Sequence, residues 1–293
     1  MKQKSVVGQI VLVALLIIGA LIIITPIWLV FAVSVSSEND IMEIGYQMIP
    51  KHIDWSGYQF AFKTPKLILN AYKVTIIFSF TVMVLNTFLN ALIAYPLSKK
   101  GLKGRTFINF YLYFTCLFGG GLVPTYILIT QYLHLQDTIW VYIVPALVSP
   151  WTVFMIRSFF QGIPNAIFES ALIDGASEFR IFIQMVIPLS KPCLATMALM
   201  CFLNKWNSWY ESMLYINNQN LYSLQYLLQK IMKEIELILN SQESFSNMVD
   251  ITQIPTETYK MAMAVIVMGP ALLVFPFFQK YFVKGLTVGS VKG

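Results

Sequence analysis

Glu169 and Asp174 lie five residues apart in a stretch with helix signals, and a carboxylate pair is what general acid–base chemistry asks for. On a helix, side chains so spaced diverge by roughly 140°, and the flanking sequence offers no pocket for a reacting group. Cys116, Cys193 and Cys201 stand in apolar sequence without CxxC spacing, which fits small buried side chains and supports neither a disulfide framework nor a metal site. His52 and His134 are far apart and lack ligand types nearby. Gly119, Gly120 and Gly121 lack the Lys-Ser/Thr ending of a phosphate loop and read as a helix break. A different chemistry is legible in NKWNSWYE, where Asn204, Trp206, Asn207 and Trp209 set amide donors among aromatic rings. Such a mixture suits sugar binding, because apolar faces of sugar rings stack on aromatics; it equally suits an interfacial aromatic belt or a helix-packing seam.

The elements that must position these residues are set by composition. The chain has 293 residues, 57% hydrophobic and only 12% charged, with mean hydropathy +0.67. Soluble domains carry about a quarter charged residues, so the deficit implies an integral membrane protein. The net charge of +6 reflects cations at span ends, as lipid headgroups favour, and gives no case for nucleic acid. Apolar runs at 10–33, 70–97, 106–132, 138–160, 192–215 and 259–282 are long enough to span a bilayer. The first is too long for a cleaved leader. Glycines 119–121 and Pro124 should loosen the third span, and Pro145 and Pro150 fall inside the fourth. Asn204 lies about 20 Å along the fifth span when counted from Lys191. At that depth, amides and charges need water or protein around them. The same holds for Asn86 and Asn90, one turn apart in the second span, for which interhelical hydrogen bonding is the alternative to a solute path.

Short basic segments stay on the cytoplasmic side. With the N-terminus inside, that side collects Lys2, Lys4, Lys99, Lys100, Lys103, Arg105, Arg157, Arg180, Lys191, Lys280, Lys284 and Lys292. The expectation is an all-α polytopic protein with six spans and both termini cytoplasmic. It divides into an N-terminal span and external loop (1–69), a core of spans (70–282) and a tail (283–293). The external loop 216–258 carries its own helical pattern, Leu224, Leu227, Leu228, Ile231 and Ile235.

Residues 162–192 then fall inside the cell. Pro164 starts a helix, Asp174-Gly175 makes a turn, and Ser177 caps a second helix. Phe179, Phe182, Ile183 and Val186 make one apolar face of that helix, and Pro188 and Pro192 close the unit. The face needs cover from lipid headgroups, from the protein itself or from a partner.

This stretch resembles the cytoplasmic coupling loop of binding-protein-dependent ABC importer permeases, whose pattern is Glu-Ala-Ala, three residues, Gly, nine residues, Ile, one residue, Leu-Pro. The matching positions read Glu169-Ser170-Ala171, Gly175, Met185, Ile187 and Pro188, with spacing kept throughout and three mild replacements. Asp174-Gly175-Ala176 is similar to the carbohydrate-importer version. The ending FFQKYFVKGLTVGSVKG resembles MalG-type sugar permeases, and NKWNSWYESMLYINN resembles their LplC and YtcP branch, which is associated with complex or acidic oligosaccharides.

The resemblance implies a MalG-like permease fold in the cell membrane, with no catalytic residue, metal or cofactor on this chain. ATP and magnesium would sit on the partner ATPase. It implies a heterodimer with a homologous permease, two cytoplasmic ATPase subunits, and an extracellular or periplasmic sugar-binding protein meeting the external loop. Glu169, Ser170, Ala171, Asp174, Gly175, Ala176, Phe179, Phe182, Ile183 and Pro188 would form the ATPase-docking loop. Asn86, Asn90, Asn204, Trp206, Asn207 and Trp209 are candidates for the translocation path. Another solute, such as a polyol or glycerol phosphate, would fit the same fold. A membrane-embedded enzyme lacks a convergent set of reactive side chains, and a channel without energy coupling would not need the coupling-loop spacing.

Overall fold

The computed structural model describes residues 6–63, 65–99, 101–242 and 255–289. Lys2, Lys4, Lys100, Lys292 and the loop segment 243–254 lie outside the described residues, as do the side chains of Lys280 and Lys284. Among the described residues the elements are helices, with one isolated antiparallel bridge between Ser36 and Ile53. In chain order they are α1 (Val6–Ser34), α2 (Glu38–Ile44), α3 (Ser56–Ala61), α4 (Pro65–Ser98), α5 (Arg105–Leu117), α6 (Leu122–Ile127), α7 (Trp140–Ile143), α8 (Pro150–Phe160), α9 (Asn165–Ile173), α10 (Glu178–Ile181), α11 (Ile187–Leu189), α12 (Lys191–Trp206), α13 (Tyr210–Tyr215), α14 (Leu224–Gln242) and α15 (Thr256–Gly289).

Gly8–Ser34, Pro65–Ser98 and Thr256–Val274 are each long and apolar enough to cross a membrane. Three bent pairs bring the candidate spans to as many as six: Arg105–Leu117 with Leu122–Tyr132 at 109°, Trp140–Ala146 with Pro150–Phe160 at 46°, and Glu178–Leu189 with Lys191–Trp206 at 80°. Two expectations are corrected here. The third span is not merely loosened at its glycines: Gly121, at φ +84°, turns the chain through more than a right angle. The fifth, expected as one run over 192–215, breaks at 207–209, where Asn207 turns its amide back onto the Leu203 carbonyl at 2.8 Å and α13 starts afresh.

By contact density the chain divides into two units, Met1–Ile68 with Leu228–Pro270, and Leu69–Leu227 with Ala271–Gly293. In the first, α1 is apolar on nearly every face and most of its large side chains are exposed, as a lipid-facing helix requires. The polar segment after it is fastened to the start of α15. Glu38 Oε1 accepts from Thr256 Oγ1 (3.1 Å) and Glu257 N (2.9 Å), and Oε2 accepts from Thr258 N and Thr258 Oγ1 (both 2.9 Å). First-turn N–H groups have no partner within a helix, and a carboxylate there also meets the positive end of the helix dipole. Gly57 of α3 lies so close that an added Cβ would sit 2.7 Å from the Thr258 carbonyl oxygen. Tyr46 donates to Glu257 Oε2 at 2.6 Å, and that contact pushes the Tyr46 hydroxyl up to about 12.

Glu38→Ala is expected to cost about 1.5–3 kcal/mol, the worth of charge-assisted hydrogen bonds, seen as a lower Tm of the detergent-purified protein. Glu38→Gln, which keeps one acceptor oxygen, should lose less. Equal melting of all three proteins would show that the carboxylate does not hold this joint.

Among the described residues of the second unit, two buried clusters lie along α4. Around Val74, Phe78 and Val82, the ring of Phe78 stacks on Tyr142 with centroids 4.5 Å apart. The Tyr142 hydroxyl donates to the Leu221 carbonyl (2.8 Å) and meets Ser212 Oγ at 2.5 Å, so this buried phenol is satisfied. Around Ala91, Ala94 and Leu97, side chains from α5, α8 and α12 join others from residues 162–192. That second cluster seats the candidate site.

Candidate functional site

The turn between α9 and α10 follows from its sequence. Asp174 ends α9 and Gly175 adopts φ +76°, a left-handed conformation that glycine enters without a Cβ penalty. Gly175 N donates to the Leu172 carbonyl at 3.1 Å and Ala176 N to the Ala171 carbonyl at 3.0 Å. This is the Schellman arrangement, in which two carbonyls orphaned at a helix end recover donors. Ala171 and Gly175 therefore have to stand four apart. Ser177 caps α10, its hydroxyl accepting from Arg180 N at 3.4 Å.

The apolar face expected of Phe179, Phe182, Ile183 and Val186 divides. Phe182 and Val186 are buried at 1% and 0% exposure, while Phe179 stands 62% exposed and Ile183 38%. Phe182 and Val186 form the row of the stripe turned to the core together with Ile181, Phe179 and Ile183 form the neighbouring row, and a π turn runs over Phe182–Val186. Phe182 packs against the rings of Tyr95 and Phe88 of α4, with centroids 5.2 and 6.3 Å apart. Ala171 also joins that core, and Ala176 packs at its edge. Glu169, Ser170, Asp174, Gly175 and Pro188 are exposed. Leu172, on the apolar face that helical spacing gives α9, and Ile173 are large apolar side chains left uncovered, as Phe179 is. The unit thus has one side held in the fold and one side bare.

Tyr95, Lys99 and Glu178 meet beneath it. Tyr95 Oη donates to Glu178 Oε2 at 2.7 Å, and Lys99 Nζ donates to the same oxygen. Lys99 Nζ also lies over the Tyr95 ring (4.7 Å to the centroid) and the Phe168 ring (5.6 Å). The Lys99 ammonium, then the Tyr95 hydroxyl, hold the Glu178 carboxyl below the usual carboxylate range. This group lines a cavity of about 1400 Å³ together with Arg105, Phe168 and Glu169. Residue spacing announces half of it: Tyr95 in the last turn of α4 and Lys99 just past its end stand four apart. Nothing in the sequence ties them to Glu178.

The polar residues of the spans have definite places. Asn86 Nδ2 donates to the Ala146 carbonyl (2.7 Å). Asn90 Nδ2 donates to the Asn86 carbonyl (2.6 Å) and the Leu147 carbonyl (3.2 Å), and Asn90 Oδ1 accepts from Ser149 N (2.9 Å). Both amides are buried and serve the break between α7 and α8. Trp206 is 2% exposed and stacks on Phe202, whereas Asn204 and Asn207 are exposed and Trp209 is half-buried. Gln225 donates to Asn207 Oδ1 at 3.0 Å. Across the 207–209 break Lys205 Nζ pairs with Glu211 Oε1 at 2.8 Å, and Ser208 Oγ donates to the other oxygen of that carboxylate.

Residues 73–288 match the family described as binding-protein-dependent transport system inner membrane component. The chain is 35% identical to the protein LplC of Bacillus subtilis, over 94% of this chain and 91% of that one. It is 35% identical to the polygalacturonan/rhamnogalacturonan transport system permease protein YtcP of the same organism, over 95% and 96% of the two chains. Among solved structures it is similar to a chain of a bacterial ABC transporter involved in the import of the acidic polysaccharide alginate, with TM-score 0.80, 28% identity and coverage of 96% and 100%.

Proposed function

This chain belongs to the binding-protein-dependent transport system inner membrane component family and is a membrane transport permease, not an enzyme, and from that premise we propose that it imports oligosaccharides, acidic ones included, in an ATP-driven complex. An importer permease of this family works with a partner permease, an ATPase and a substrate-binding protein. The finer reading is a multi-pass protein of the cell membrane with both termini cytoplasmic. It forms a heterodimer with a homologous permease, carried on two ATPase subunits that hold the ATP and magnesium.

The observation that carries the reading is the divided unit over 162–192. Phe182, Val186 and Ala171 anchor it in the core, while Leu172, Ile173 and Phe179 face outward with Gly175 at the turn between them. Exposed apolar anchors on a rigid turn are what a groove on a cytoplasmic ATPase would receive. Glu169 is exposed beside them, placed for an ion pair across the same contact. Substrate class rests on the relatives: polygalacturonan, rhamnogalacturonan and alginate, named for the relatives, are all acidic polymers. Asn204, Asn207 and Trp209 are the side chains of the expected path with surface to offer a sugar, and Asn86, Asn90 and Trp206 would shape it from behind.

The test is reconstitution with the partner permease, ATPase and binding protein, following ATP-dependent uptake of oligogalacturonides. Gly175→Val is the informative variant. No atom lies within 4 Å of a Cβ there, so the penalty is backbone strain alone, about 1–2 kcal/mol for an ordinary residue at positive φ and more for a branched one. Uptake and ATPase retention should both fall for Gly175→Val and largely persist for Gly175→Asn, which tolerates the left-handed region. Equal behaviour of the two would reject docking through this turn. Uptake of a polyol in place of the oligogalacturonide would reject the substrate class while leaving the docking intact.

A further inference from the structure

We propose that Tyr95, Lys99 and Glu178 are positioning residues that make α4 follow the ATPase-docking unit. The inference rests on the docking reading above and names the strut through which that contact acts. Glu178 is the first residue of α10, and its carboxylate oxygen receives both the Tyr95 hydroxyl from the last turn of α4 and the Lys99 ammonium from the residue that follows α4. Lys99 also covers the Phe168 ring of α9. One cation therefore touches α4, α9 and α10 together. Apolar packing alone lets helices slide, since its attraction has little direction. A hydroxyl and an ammonium converging on one oxygen fix a register, because hydrogen bonds weaken steeply away from their preferred angles.

The Lys99 and Glu178 side chains are 29% and 57% exposed, and ion pairs in such places add little to stability. The hydrophobic cluster around Phe182, with side chains from α4, α5, α8 and α12, already supplies cohesion. Removing the polar strut should then spare assembly and show itself in motion.

The experiment uses the whole importer complex in proteoliposomes, with native cysteines replaced and a nitroxide on Leu92, an α4 residue lining the cavity. In the parent complex, ATP with vanadate should change the spectrum. In Lys99→Met and Glu178→Gln the ATPase should stay bound and hydrolyse ATP, with the spectral response cut about fivefold or more, a usual size for site coupling. The swap, Lys99→Glu with Glu178→Lys, should restore most of it. A full response in both single variants would overturn the strut, as would failure of the swap to restore it or an unresponsive parent. Loss of the ATPase from the single variants would also overturn it, making these residues part of assembly. Absence of the ATPase from the parent complex would defeat the docking reading itself.

Discussion

Phe182→Ala is expected to destabilise the permease by about 3–5 kcal/mol, the usual cost of emptying an aromatic site in a core. Folded proteins hold only about 5–15 kcal/mol in all, so a sharp loss of yield and Tm should follow, with ATPase binding lost as a consequence. Phe179→Glu, three residues earlier, should do the reverse. Its side chain is 62% exposed, and surface changes usually stay within about 0.5 kcal/mol, so yield and Tm should hold. Retention of the ATPase on the tagged permease should nevertheless drop, by about thirtyfold in affinity if Phe179 acts as an anchor worth 2 kcal/mol. Two phenylalanines on one short helix thus separate folding from docking. Retention of the ATPase by Phe179→Glu would move the contact elsewhere on the unit.

The same pair shows what the sequence could and could not reveal. Helical spacing put Phe179, Phe182, Ile183 and Val186 on one stripe. Which edge of that stripe meets the core depends on how the helix seats against its neighbours, here Phe88 and Tyr95, and no spacing rule carries that. The Ala171-to-Gly175 spacing was readable because a Schellman turn is local and its hydrogen bonds span six residues. Lys99 with Glu178 and Glu38 with Thr258 were not, since each joins segments far apart in the chain. The six apolar runs were plain from composition. Breaks in them were readable only where proline or glycine carried the signal. At 207–209 the signal was a polar run, NKWNS, that reads equally as a solute path, and the structure puts both a helix break and exposed amides there.

Asn90→Leu should be the costliest polar substitution in the spans, and proline chemistry says why. In an unbroken helix the Ala146 carbonyl would accept from the N–H of residue 150, but Pro150 has none. The chain bends 46° at this point, and among the described residues no backbone N–H reaches the Leu147 carbonyl either. Asn86 supplies the first missing donor and Asn90 the second, while Asn90 Oδ1 takes up the free N–H of Ser149. Within a bilayer no water stands ready to replace them. Asn90→Leu strands two backbone groups, at about 1–3 kcal/mol each. Asn86→Leu strands only the Ala146 carbonyl and removes a buried Oδ1 that has no partner of its own, so it should cost roughly half as much or less by the same rule. Thermal scans of the purified variants would rank them, Asn90→Leu melting well below Asn86→Leu and both below the parent. An opposite result, with melting unchanged and uptake of oligogalacturonides altered, would assign these amides to the solute. Leucine in place of Asn86 should lower the amount of working transporter and leave its apparent KM alone, because the side chain's one bond goes to the backbone of the bend.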